Sequence, residues 1–353
     1  MDSKVLKRVV SIQYLRALAA ILVVVHHANS GPIHLDIVSP DFATFGVDLF
    51  FVISGYIMWT TTTETARTPP QFWSARIVRI VPLYWGFTSL YLAISIFHPA
   101  AIEHPSADLV FILKSYAFVP AIHPVLRNVT PIYSLGWTLN YEMFFYLIFG
   151  TALIIRHWAG RLVGITLTLG ALVAAGFLWH PANPILQTYS NELLLEFLSG
   201  TLLGAASERL MVWGARFAGP VLGVAALSLV AVYYDKFSGY DSLLFGLPPV
   251  LTVAGLVALE RSLRNRPLRW ALLIGDASYS LYLSHPFVVR ALYLTLPTVV
   301  ATANPVIGIF CIAVASLASI PFAVLIYRVF ERPVLAMLRG FTTYRTVSAM
   351  PKL

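Results

Sequence analysis

Arg16 and His27 stand eleven residues apart inside one apolar run. At about 100° per residue, that separation returns to within about 20° of the same helical face, roughly 16 Å further along the axis. A guanidinium and an imidazole on one stripe of an apolar helix are expensive at membrane depth, which makes them a functional hypothesis. His26 lies about 80° away from that stripe. The plainer account is an arginine that snorkels to the interface and histidines that sit near it.

Asp48 follows in the run Gly46-Val47-Asp48-Leu49-Phe50-Phe51-Val52-Ile53-Ser54-Gly55. A carboxylate beside an imidazole fixes its tautomer and raises its basicity, as a general base requires. A competing role is to cap a helix N-terminus, where a negative charge meets the dipole. Arg76 and Arg79, three residues apart, share a helical face. Two guanidinium forks there form a clamp for phosphate, although basic residues beside a span also mark its cytoplasmic end. Further on, Trp137 precedes Glu142, Glu192 and Glu196 flank the start of another apolar run, and Tyr282 precedes His285-Pro286. Pro286 takes the helical donor from the Tyr282 carbonyl, which then needs another. Glu196 alone reads as an interfacial carboxylate. No GxSxG elbow, HExxH pair or P-loop is present, and no two histidines stand four apart, so no metal is expected.

These side chains need elements to hold them, and composition says which. Of 353 residues, 58% are hydrophobic and 11% charged, with mean hydropathy +0.77. A soluble domain carries about 25% charged residues, so the surplus apolar surface must face lipid. Apolar segments near spanning length fall at about 9–28, 45–62, 81–97, 133–155, 162–179, 188–206, 218–233, 243–259, 272–297 and 305–330. This predicts an all-α polytopic membrane protein of about ten spanning helices, one domain over 1–338 and a short polar tail over 339–353. Leu109–Val119 is too short to span and carries Lys114, so it is expected to lie in the interface or re-enter. The N-terminal Lys4, Lys7 and Arg8 before Val9 mimic a signal peptide. The apolar stretch is longer than a signal core and lacks a small-x-small site, so no cleavage is expected.

Charge sets the orientation. With the N-terminus inside, 18 basic residues fall on inner segments, against Lys114, Arg127 and Lys236 outside. That bias follows the positive-inside rule and makes both termini cytoplasmic. It also accounts for the net charge of +8 without a nucleic-acid partner. The single cysteine, Cys311, excludes an internal disulfide framework. Phosphate-binding groups thus gather toward the inner face and acid–base groups toward the outer one.

Taken together, Arg16 with His27, the Gly46–Gly55 run, Arg76-x-x-Arg79 with Pro82, Trp137-x-Leu-x-x-Glu142, Glu196-Phe197-x-x-Gly200 and Tyr282-Leu-x-His285 resemble the acyltransferase-3 family of bacterial integral-membrane acyltransferases. The likeness runs over about residues 10–335 and is strongest to exopolysaccharide acetyltransferases of the succinoglycan type. It implies acyl transfer from an acyl-CoA, usually acetyl-CoA, to a sugar hydroxyl of an extracytoplasmic or lipid-linked polysaccharide, in the bacterial inner membrane. It further implies His27 as catalytic base, with Arg16, Arg76 and Arg79 on the donor. Asp48 or Glu142 is expected to orient His27, and His285, Tyr282, Glu196 and Trp137 to contact the acceptor. A transporter or flippase for a glycan precursor would also place charges within helices. Such proteins commonly show paired halves with matching broken helices, and the sequence carries no such symmetry.

Overall fold

The computed structural model describes residues 9–30, 33, 35, 41–65, 67–98, 108–234, 246–295 and 304–339, and among these every regular element is helical. In chain order they are α1 (Val10–Asn29), α2 (Asp41–Glu64), α3 (Pro69–Phe97), α4 (Leu109–Tyr116), a 3-10 turn (Ser134–Gly136), α5 (Trp137–Ala152), α6 (Trp158–Trp179), α7 (Pro184–Tyr189), α8 (Leu194–Ala205) and α9 (Ser207–Trp213). There follow α10 (Ala215–Tyr234), α11 (Leu247–Ala258), α12 (Glu260–Asn265), α13 (Arg269–Asp276), α14 (Ser278–Tyr293), α15 (Pro305–Ile326) and a π-helical turn (Tyr327–Glu331). The basic residues before Val9, Lys236 and the tail from residue 340 lie outside the described residues.

All ten apolar segments fall on helices, but not all of those helices are long. Five are long and apolar enough to cross a membrane: Val10–Asn29, Thr44–Thr63, Pro69–Phe97, Trp158–Trp179 and Pro305–Arg339. The pair α9 and α10, bent by 104°, makes a sixth if taken as one span. Gly214 forms the bend with φ +59° and ψ −157°, a conformation open essentially to glycine alone. The segments expected at 133–155, 188–206, 243–259 and 272–297 fold around helices of 16, 12, 12 and 16 residues. At 1.5 Å per residue these run about 18–24 Å, short of a ~30 Å hydrocarbon layer. The described helices therefore supply five or six spans on length and apolarity where about ten were expected, and these shorter helices account for the difference.

Leu167 and Phe177 on α6, and Phe310, Leu317 and Leu325 on α15, are exposed. Water does not tolerate apolar bands of that extent, and lipid does. The chain is a multi-pass membrane protein.

Two compact units make up the chain, Met1–Thr61 with Leu195–Val324, and Thr62–Leu194 with Leu325–Leu353. In the first, α1 is the central helix and packs on α11, α12, α13 and α14. Leu15 and Ala19 join Leu49, Val52, Val253 and Val257 in one apolar cluster, while Ala17, Ala20 and Val24 join Ile274, Leu281 and Ala323 in another. Burial on two sides holds α1 in fixed rotation, and that rotation aims Arg16 and His27.

The start of α1 shows how it is fixed along its axis. Val9 occupies the N-cap and has no side-chain acceptor, so the first-turn N–H groups lack a local partner. Glu260, only 2% exposed, supplies both acceptors across 250 residues of chain: Val10 N–H donates to Oε1 at 2.9 Å and Ser11 N–H to Oε2 at 2.8 Å. A carboxylate there also meets the positive end of the helix dipole. Glu260→Ala is expected to cost about 1–3 kcal/mol of stability, read as a lower unfolding temperature of the purified protein in detergent. Glu260→Gln keeps an acceptor and should fall between.

In the second unit, α3 packs on α5, and α5 packs on α6 and α7. Helix α3 begins well before the apolar segment at 81–97. Pro69 preorganises its first turn, and Gln71 reaches back to the Thr68 N–H at 3.1 Å. Arg76 and Arg79 therefore sit on the same continuous helix as Pro82, not in a loop preceding it. Helix α4 is eight residues long with Leu109, Val110 and Leu113 exposed, in keeping with a non-spanning piece. It is tied to α3 by the Tyr84 hydroxyl donating to the Ser115 carbonyl and the Trp85 indole to the Tyr116 carbonyl.

Candidate active site

Within the first unit, α1 and α14 meet along one stripe of each. Arg16 donates from Nη2 to the Ser278 hydroxyl at 2.9 Å. Further along, the His27 and His285 rings lie 4.9 Å apart between centroids, and His26 stands edge-on to His27 at 5.1 Å. Ser278 and His285 are seven residues apart, about 700° of rotation, hence on one face of α14. The stripe read from the sequence on α1 thus meets a second one on α14, Arg16 with Ser278 and His27 with His285.

Each of the two facing rings has its tautomer set by backbone. His27 Nδ1 lies 2.8 Å from the Val23 carbonyl, and His285 Nδ1 lies 3.0 Å from the Leu281 carbonyl. A carbonyl only accepts, so both Nδ1 atoms carry hydrogen and each neutral ring presents its Nε2 lone pair. The His285 imidazole also bonds the Tyr282 backbone, the carbonyl that Pro286 leaves without its helical donor. His285 is fully buried, and its Nε2 has no partner among the described residues. Tyr282 packs beside it at 6.4 Å, between His285 and Phe50.

This geometry revises the expected orienting group. The Val23 carbonyl, four residues back on the same helix, holds His27 where a carboxylate was expected. Asp48 lies in the third turn of α2, so it does not cap that helix either. Its carboxyl group is hydrogen-bonded to Glu196 of α8, with both side chains buried. Glu196 is thereby a packed partner of Asp48, not an interfacial carboxylate. Close backbone contact between α2 and α8 makes the pair: a Cβ on Gly200 would lie 1.9 Å from the Val52 carbonyl oxygen, and one on Gly55 would lie 2.1 Å from that of Phe197.

The second unit collects the other candidates. The Arg76 guanidinium lies over the Phe72 and Tyr146 rings at 5.7 and 6.0 Å, and its Nε has no partner among the described residues. Tyr146 donates its hydroxyl to Glu142, whose charge acts on Arg76. Glu142 therefore belongs to the surroundings of Arg76. Arg79 pairs with Glu331 at 3.8 Å, and Glu331 is 2% exposed within the π-helical turn. Arg67 and Arg339 add their charges to the same neighbourhood. Four arginines against Glu142 and Glu331 leave net positive charge, as an anion-binding surface needs. Trp137, at the head of α5, packs edge-on to Tyr141 at 5.9 Å.

Ser278, Tyr146, Glu260 and Glu331 were not singled out from the sequence. Glu260 and Glu331 carried a signal, each as a carboxylate just beyond an apolar run. The others became visible through contacts between helices distant in sequence.

A helical membrane protein with two facing imidazoles in one unit and an arginine cluster in the other carries side chains that group-transfer chemistry uses. The acyltransferase domain family matches residues 9–328. The chain belongs to the acyltransferase-3 family and is a membrane acyltransferase. It is 34% identical over 299 residues to the exopolysaccharide production protein ExoZ of Rhizobium meliloti, covering 82% of this chain and 89% of that protein. It is 28% identical over 317 residues to the peptidoglycan O-acetyltransferase OatA of Listeria monocytogenes, covering 79% of this chain and 49% of that protein. No solved structure matches the chain.

Proposed function

We propose that this protein moves an acyl group, acetyl in the first instance, from cytoplasmic acyl-CoA to a hydroxyl of an extracytoplasmic or lipid-linked polysaccharide sugar. The observation that carries this reading is the His27–His285 pair, with Nε2 as the basic atom of each ring. Resemblance to an exopolysaccharide production protein and to an O-acetyltransferase supports the acceptor class. The skewed distribution of basic residues supports cytoplasmic termini and a bacterial inner-membrane location.

His27 Nε2 accepts the proton of the acceptor hydroxyl as that oxygen attacks the thioester carbonyl. The tetrahedral intermediate collapses by breaking the C–S bond, and the CoA sulfur leaves with a proton returned from the imidazolium. An ester and free CoA result. His285, with its unpartnered Nε2, accepts a hydrogen bond from the acceptor or from the protonated His27. Arg16 and the Arg76–Arg79 face bind the donor, guanidinium forks being matched to phosphate. Asp48 and Glu142 act on this chemistry through the packing of α2 against α8 and through Arg76, and Tyr282, Glu196 and Trp137 help shape the acceptor side.

Membranes containing the protein should incorporate label from acetyl-CoA into glycan, which a glycan transporter would not do. Absence of label with any acyl-CoA overturns the reading. Arg76→Ala and Arg79→Ala should chiefly weaken donor binding. Each lost charge-assisted contact is worth about 1.5–3 kcal/mol, roughly a ten- to hundredfold rise in KM for acyl-CoA. Initial rates titrated against donor test this, and an unchanged KM with reduced kcat would remove the clamp.

A further inference from the structure

The second unit holds a cavity of about 310 Å³ between the end of α6 and the loops bracketing α7, lined by Phe177, His180, Pro181, Gln187, Asn191 and Glu192 among others. Its walls follow from local sequence. Helix α6 stops at His180, which takes the left-handed conformation (φ 42°, ψ 60°) while its N–H closes on the Gly176 carbonyl. A non-glycine residue held there is uncommon and clusters at functional sites, although histidine tolerates it better than most. Asn183 then caps α7, accepting from Ile185 N–H at 2.9 Å. Gly176 lies so close to Ser190 that a Cβ would fall 2.1 Å from its carbonyl oxygen, and this contact forms the floor. Thr188 on α7 is hydrogen-bonded to Tyr141, which braces the cavity on the helix carrying Trp137 and Glu142.

The lining has a particular chemistry. Phe177 and Pro181 offer apolar faces. The side chains of Gln187, Glu192 and His180 make no hydrogen bond to other described residues, and the Asn191 side chain spends its carbonyl oxygen on the Leu193 N–H, keeping its amide donors. Donors and acceptors around an apolar wall fit a ring with C–H faces and hydroxyl edges. No lysine or arginine lines the cavity and Glu192 does, which disfavours a phosphate or a phospholipid headgroup. The volume sits at the lower end for small-ligand pockets, enough for one or two sugar rings.

We propose that this cavity is a saccharide subsite that docks a neutral pyranose of the acceptor glycan by its hydroxyl groups. This deepens the acyltransferase reading and rests on its sugar acceptor. The subsite belongs to the same side of the membrane as the acceptor, because α6 leaves the basic segment at Arg156 and Arg161 and ends at this cavity.

The test is photolabelling of the full-length protein in lipid nanodiscs with diazirine-bearing glucoside and galactoside probes, followed by peptide mapping. The expected result is labelling within residues 177–192, competed by excess methyl glucoside or methyl galactoside. Glu192→Gln and Gln187→Ala should each weaken that competition roughly tenfold, the loss of one or two hydrogen bonds, while leaving stability unchanged. Labelling spread over other segments, competition by phosphatidylglycerol in place of sugar, or identical labelling in both variants overturns the subsite. The readout needs no acyl transfer. Competed labelling without label incorporation from any acyl-CoA sinks the acyl-transfer reading alone, and incorporation without labelling here sinks the subsite alone.

Discussion

His27→Ala protein is expected to insert and fold like the parent and to lose acyl transfer by roughly 10²–10⁴-fold, the range that general-base assistance contributes. Folding should be spared because the bond removed is a local one, His27 Nδ1–H to the Val23 carbonyl, within a helix that keeps its own ladder. The chemical loss should be large because Nε2 of that ring is the atom offered for proton removal. His27→Gln separates the parts of the effect. It can still donate and accept hydrogen bonds but takes no proton at neutral pH, so it should resemble alanine in kcat. His285→Ala should reduce the rate less, since the neighbouring ring assists without being the first acceptor of the proton. In the absence of acceptor, labelled acetyl-CoA should leave no label on the protein, as direct transfer requires. Acceptor acetylation at the parental rate by a well-expressed His27→Ala protein would remove this histidine from the chemistry. Label retained on the parent protein but lost from the variant would show an acyl-histidine step instead.

What could be seen in the sequence was whatever obeyed a local period. Arg16 and His27 share a phase on α1, because rotation along a helix depends only on counting residues. The apolar runs marked the long helices, while short ones such as α9 and α12 fell between them. Their lengths were less legible. The apolar stretch 272–297 breaks at Asp276–Ala277 into α13 and α14, and the only local sign is Gly275-Asp276, which a window of overall hydropathy averages away. The start of α3 was missed because Pro69 and Gln71 lie in polar sequence outside the apolar window, although their capping chemistry was there to read.

Partnerships across the chain were least legible. Nothing near Val9 announces that its missing cap is supplied by Glu260, and nothing near Arg79 announces Glu331. Asp48 is instructive, because the inference that a carboxylate near an imidazole should orient it was chemically sound. A backbone carbonyl already satisfies the Nδ1 hydrogen of His27, so the carboxylate was not needed there, and it pairs with Glu196. A buried polar group takes whichever partner the packing brings first, and sequence distance has no bearing on which that is.

That packing leads to the second large effect. Gly200→Ala should destabilise the protein severely and Gly200→Leu should prevent its accumulation, although both residues favour helices over glycine. Helix α8 carries Gly200 and Gly204 in the small-x-x-x-small spacing that lets membrane helices touch backbone to backbone. A Cβ at Gly200 would lie 1.9 Å from the Val52 carbonyl oxygen and 3.0 Å from the Tyr56 nitrogen. Both are backbone atoms, so no rotamer change relieves the overlap and the helices must separate. Overpacking of this kind costs about 1–3 kcal/mol for well-packed cores and occasionally more. Here separation also pulls Glu196 from Asp48, breaking a buried carboxyl–carboxyl hydrogen bond, a further loss of about 1–3 kcal/mol. Gly219→Ala and Gly223→Ala on α10 are the controls, because a Cβ at either meets nothing within 4 Å. They should hold or slightly raise the unfolding temperature in detergent, while Gly200→Ala lowers it by many degrees and Gly55→Ala does likewise. Equal unfolding temperatures for Gly200→Ala and Gly223→Ala would mean that α2 and α8 do not meet at this contact, and the burial of Asp48 against Glu196 would lose its structural cause.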